Sequence, residues 1–121
     1  MTHAEPRDRA LQALYEADQR GEGPLDAEEL TGKAGRIVEG VAENLEVIDA
    51  TIAAKSERWR PERMPVIDRA VLRIGVYELL FEPETPDAVV LAEAARLASS
   101  FSTEKSAPFV NGVLGAVAGD R

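Results

Sequence analysis

Cysteine is missing from all 121 residues, which removes disulfides, thiolate nucleophiles and cysteine zinc sites from consideration. Histidine is reduced to His3, in the N-terminal tail, and no spacing of metal-ligating residues accompanies it. No glycine-rich phosphate loop sits between a strand and a helix. The paired carboxylates Glu28-Glu29 and Glu43/Glu46 are neighbours in sequence only, with nothing nearby to form a desolvated pocket that would split their pKa values. These absences point away from an enzyme: the residues offer no catalytic group, no cofactor site and no metal ligand set. No run approaches the roughly 20 apolar residues of a membrane span, and the opening MTHAEPRDR has no signal-peptide core. A soluble, cytoplasmic protein is the expectation. Strand-like alternation is lacking too, as are internal repeats and low-complexity tracts, so the expected class is all-α in a single domain. Surplus positive charge is the last thing absent. A net charge of -8 argues against a uniformly basic nucleic-acid binder.

What is present is organised around Pro65 to Phe81, PVIDRAVLRIGVYELLF. On a 3.6-residue period Ile67, Val71, Ile74 and Phe81 form one stripe, with Ala70 and Tyr77 beside it. Leu72, Val76, Leu79 and Leu80 fill much of the opposite side. Polar side chains keep two narrow arcs, Arg69 with Arg73 and Asp68 with Glu78. A helix apolar nearly all round must be covered nearly all round, so this one is expected at the centre.

The covering helices can be read in order. Pro6 suits the first turn of a helix running to Arg20, with Ala10, Leu11, Leu14, Tyr15 and Ala17 as its apolar face and Gly21, Gly23 and Pro24 ending it. The connector GEGPLDAEELTGK has room for a short helix from Asp26 to Leu30, with Asp26 as its cap. Ile37, Val41, Leu45, Ile48 and Ile52 recur at helical spacing and predict one helix over about 35–55. Arg60 before Pro61 predicts a break, and Pro61 and Pro65 open new turns. Pro83 and Pro86 close the central helix. Thr85 is then a candidate cap for the next, whose face is Val90, Ala94, Leu97, Ala98 and Phe101. A last helix carries Phe109, Val110, Val113, Leu114 and Val117. The halves divide at about 6–56 and 61–118.

Two features invite a functional reading. Lys55 to Arg73 holds six basic and three acidic residues, net +3 on a chain whose remainder carries -11; it is either a local basic face or a set of solvated surface pairs such as Arg69 or Arg73 with Glu62 or Asp68. In the last helix Gly112 and Gly115 each cost roughly 1 kcal/mol relative to alanine, and Asn111 is a poor helix-interior residue. Either the glycines allow close helix crossing and Asn111 caps a neighbour, or a thin surface admits a ligand or partner. Trp59 reads as an anchor under the bend at Pro61, with base stacking as the other use.

Three separated segments carry a resemblance: RALQALYEA (Arg9 to Ala17), DRAVLRI with YEL (Asp68 to Leu79), and FVNGVL (Phe109 to Leu114). In order and spacing they resemble the signature segments of the NusB family of transcription antitermination factors, over Arg9 to Val117. The resemblance implies two three-helix bundles packed across each other, and a non-catalytic role. It implies a partner, the ribosomal small-subunit protein NusE, and joint binding of single-stranded boxA RNA in nascent ribosomal RNA transcripts, which loads an antitermination complex on RNA polymerase. The RNA surface it implies centres on the N-terminus and first helix, where cations meet phosphates and Tyr or Gln meets unstacked bases. The matching positions are Arg7, Gln12 and Tyr15, with Arg9 a weaker candidate. Glu78 falls on the NusE-facing side, and Asn111 lies near where the RNA and NusE surfaces meet.

The chain departs from that pattern at its start. Residues 1–20 hold three arginines against four acids, so RNA binding by this subunit alone is expected to be weak unless NusE supplies the charge. Tyr15, on the edge of an apolar stripe, suits core packing as well as base stacking. The helical module also resembles the N-terminal domain of a ribosomal RNA cytosine methyltransferase, for whose Rossmann-type domain 121 residues leave no room. A self-associating helical domain of this type with little intrinsic RNA binding, its partner a second copy in a homodimer, is the alternative function.

Overall fold

Proline and apolar periodicity place the helices where they form. The computed structural model describes residues 5–21, 30, 32–57 and 59–121, and among these every regular element is helical. Helix α1 spans Pro6–Arg20, α2 Gly32–Glu43, α3 Leu45–Lys55, α4 Val66–Phe81, α5 Asp87–Phe101 and α6 Ser106–Asp120, with a 3-10 turn at Pro61–Arg63. Pro6 opens α1, where its missing N–H costs nothing, and Gly21 closes it in the left-handed conformation at φ 70°. Residues 26–29 of the candidate helix from Asp26, and the tail holding His3, lie outside the described residues; Leu30, its last position, is not helical.

The central rod is α4, which packs against α1, α2, α3, α5 and α6. Val71, Leu72, Ile74 and Val76 point in different directions yet are all buried, as the circular apolar pattern requires. On one side α5 and α6 complete a three-helix group with α4. On the other, α1, α2 and α3 cover it, and α3 reaches across to α6. Coverage fails at the end of the rod, where Phe81 is exposed and stacks on Tyr77 with ring centroids 5.9 Å apart.

The helix expected over 35–55 is two helices. Asn44 leaves helical geometry at φ -117° and ψ 21°, and its side-chain amide donates to the Gly40 carbonyl at 2.8 Å. A short amide side chain bonding its own backbone competes with helix continuation. Leu45, nominally on the apolar stripe, is exposed as a result, while Ile37, Val41, Ile48 and Ile52 stay buried. Thr85 does not cap α5; the helix follows Pro86, with no side-chain cap hydrogen bond.

Close crossing occurs at glycines other than those expected. A Cβ on Gly40 would overlap the Tyr77 ring, and one on Gly75 would lie 2.9 Å from Leu114 Cδ2. A Cβ on Gly112 would meet nothing within 4 Å, and one on Gly115 only Leu91 Cδ2 at 3.9 Å. At the start of α6, Ser106 donates to the buried Asp68 at 2.9 Å. That places a carboxylate near the helix N-terminus, where negative charge is favoured.

Candidate functional site

Helix α1 has two working faces. Inward, Arg7 is 7 % exposed and reaches α4, where Glu78 is 1 % exposed. Its Nε and Nη2 donate to Glu78 Oε1 and Oε2 at 2.7 and 2.8 Å, the two-point geometry by which guanidinium matches carboxylate. Glu93 of α5 lies 3.7 Å from Arg7 and Lys33 of α2 lies 3.5 Å from Glu78, so four elements meet at this pair. Burial alone would lower the Arg7 pKa; the hydrogen bond and charge of Glu78, with Glu93, outweigh it and hold the pKa above its ordinary value. Two residues expected on separate binding surfaces are therefore bound to each other. Arg7 and Glu78 spend their polar atoms on an internal pair, and neither offers a free surface to RNA or to a protein.

The outward face is different. Asp8, Leu11, Gln12 and Tyr15, at successive turns of α1, line a cleft of about 460 Å³ together with Ile67 of α4 and Phe101 of α5. Tyr15 is 37 % exposed and Phe101 49 %, so two aromatic rings stand at its rim. Leu11 is buried beneath them. The acid at this site is neutralised: Arg96 donates to Asp8 at 2.6 and 3.3 Å and to Glu93 at 2.9 Å, and the Asp8 bond, ahead of the Glu93 one, raises the Arg96 pKa. Gln12 is exposed, with one long contact of 3.4 Å to Glu16. Arg9, three residues before Gln12 and so its neighbour on the helix surface, is exposed and has no carboxylate partner among the described residues. Asn111 is exposed on α6 and does not line this cleft.

Three of the six cations in the basic segment over 55–73 are tied into ion pairs between helices. Arg69 pairs with Asp18 at 2.8 Å, Arg73 with Asp49 at 2.8 and 2.9 Å, and Lys55 with Asp120 at 2.9 Å. The pairs tie α4 to α1 and α3 and α3 to α6, and they replace the expected partners Glu62 and Asp68. Trp59 meets the edge of Phe109 with centroids 5.2 Å apart, consistent with an anchor under the bend. Among the described residues no cluster of three or more metal-ligating side chains occurs, and no helix is long and apolar enough to cross a membrane.

A sequence model of the NusB family matches residues 4–119, nearly the whole chain. The chain belongs to the NusB family. Transcription antitermination proteins of this family from Acidothermus cellulolyticus and Kineococcus radiotolerans are 49 % and 44 % identical to it; the alignments cover 92 % and 93 % of this chain and 83 % and 89 % of theirs. The fold is that of Thermotoga maritima NusB, with TM-score 0.86 at 34 % identity over 99 % of this chain and 94 % of that one. It also matches a chain in a complex of antitermination factors NusB and NusE with double-stranded RNA, with TM-score 0.81 at 28 % identity over 96 % and 95 % of the two chains. The family consists of antitermination factors and not enzymes, and the two crossed three-helix bundles are its fold.

Of the residues lining this cleft, sequence reasoning singled out Gln12 and Tyr15 and read Phe101, at the foot of an apolar stripe, as core. It also missed the Arg7–Glu78 pair, since nothing local links positions 71 residues apart.

Proposed function

We propose that this NusB-family protein acts with NusE to bind the boxA element of nascent ribosomal RNA transcripts in the cytoplasm, loading an antitermination complex on RNA polymerase. The observation carrying the reading is the outward face of α1. An Arg9 with no carboxylate partner among the described residues, an exposed Gln12 amide and a half-exposed Tyr15 ring share one surface, a cation, an edge-reader and a stacking platform for single-stranded RNA. The similarity to the NusB chain found with NusE and RNA supports it. Direct RNA contact falls to Arg9, Gln12 and Tyr15. Asn111, exposed on α6, is assigned to the junction with NusE. Arg7 and Glu78 act from beneath, fixing the pitch of α1 on α4.

The test is a titration of single-stranded boxA RNA with and without NusE. Binding is expected to be weak alone, tighter with NusE, weaker in higher salt, and reduced by Arg9→Ala and Tyr15→Ala. Failure of NusE to bind, or to raise RNA affinity, would refute the proposal.

A further inference from the structure

The cleft between α1 and the C-terminal end of α5 sets Leu11, Ile67 and Phe101 beside the Gln12 and Tyr15 of the RNA reading. We infer that it is a slot for one unstacked RNA base, with Phe101 and Tyr15 as its walls, Leu11 and Ile67 as its floor, and the Gln12 amide as the group that meets the base edge. The inference rests on the RNA-binding reading above and adds Phe101 to it.

Three features favour a base over other occupants. First, the rim carries two half-exposed rings from different helices, and a flat π-face is what stacks on any nucleobase. A cleft of about 460 Å³ lies within the roughly 300–1,000 Å³ of small-ligand sites. Second, its polar equipment is neutral. Asp8 is the lining carboxylate, and both of its oxygens are taken by Arg96 at 2.6 and 3.3 Å, so the slot does not repel an RNA backbone as a free acid would. Gln12 keeps donor and acceptor capacity beyond its long contact with Glu16, and an amide can pair with a base edge at two points. Third, the exposed cation Arg9 sits next to Gln12, where a phosphate flanking the inserted base would find it. An apolar protein side chain could use the floor, but it would have no need of the amide or the cation.

Phe101 projects from the last residue of α5 and is half exposed, so replacing it does not open the core. The experiment uses the full chain with NusE and a boxA oligoribonucleotide carrying 2-aminopurine at successive positions. In the unsubstituted protein, fluorescence at one position is expected to be quenched on binding. Phe101→Leu, which keeps apolar bulk and loses the ring, is expected to weaken RNA affinity about tenfold and abolish that quenching while NusE affinity and thermal stability stay unchanged. Phe101→Tyr is expected to restore both. RNA affinity and quenching unaltered in Phe101→Leu would overturn the slot while leaving the RNA reading standing. Loss of NusE affinity with RNA binding intact would assign the cleft to a protein side chain and likewise overturn it. No RNA binding by the unsubstituted protein with NusE would remove the underlying reading, and the slot with it.

Discussion

Glu78→Gln tests the internal pair most directly. The substitution keeps volume and removes charge from a group 1 % exposed, leaving the Arg7 guanidinium buried against a neutral amide. Breaking a buried ion pair from one side costs about 3–5 kcal/mol, because the remaining charge stays desolvated. The lower end applies here. Glu93 stands 3.7 Å from Arg7 and is partly exposed, so it takes up some of the stranded charge. A loss of about 3 kcal/mol corresponds to a fall in Tm of about 12 °C for a chain of this size. Arg7→Met is expected to cost a similar amount, since it leaves a buried carboxylate with only the ammonium of Lys33 at 3.5 Å. The double variant Arg7→Met/Glu78→Gln is the decisive sample. It buries no stranded charge, so it should lose less than the two single variants together, with a coupling of about 2 kcal/mol. Urea unfolding with unchanged m-values reads all four corners of the cycle. Single-variant losses under about 1 kcal/mol, or simple additivity in the double, would show that the pair is solvated in solution and that Arg7 is available at the surface after all.

Other expectations follow from the same contacts. Gly40→Ala drives a Cβ into the Tyr77 ring, which is held by Glu82 and Phe81, and is expected to cost about 1–3 kcal/mol by equilibrium unfolding despite the better helix propensity of alanine. Gly112→Ala meets nothing within 4 Å and is expected to stabilise by up to about 1 kcal/mol; a loss of stability would mean that α6 does not run as a regular helix there. The Tyr77 hydroxyl donates to Glu82 at 2.6 Å, and burial, then that bond, push its pKa up to about 12. The unfolded phenol ionises near 10, so stability is full below that pH and is expected to fall as pH rises from about 10 to about 12. Tyr77→Phe should flatten that part of the stability profile. The same bond holds the Glu82 carboxyl below its usual range, so its contribution is present above the unfolded carboxyl pKa and is lost as acid protonates the folded carboxylate.

The parts of this fold that were legible in the sequence are those that local repetition encodes. Ile37, Val41, Ile48 and Ile52 announce a buried helical face by spacing alone, and the apolar positions around α4 announce its place at the centre. The break at Asn44 was hidden because it depends on which bond a polar side chain chooses, and the stripe runs straight through it. Pairing partners were hidden for another reason. Arg69 and Arg73 have acids nearby in the chain, yet they bind Asp18 and Asp49 on other helices, since a guanidinium reaches across a helix interface as easily as along its own turn. At the candidate site, family segments pointed to Gln12 and Tyr15. They could not show that Arg7 faces inward or that Phe101 shares a cleft with Tyr15, both of which follow from how α1 and α5 lie on α4.

Because the rod α4 is packed by α5 and α6 on one side and by α1, α2 and α3 on the other, melting either group would bare apolar surface on the rod. Thermal unfolding should therefore run as one transition, and amide hydrogen exchange should be slowest along Val71 to Val76 and open only with the whole chain. A partner gripping either half would then protect the far half equally, by mass action and without any path between them.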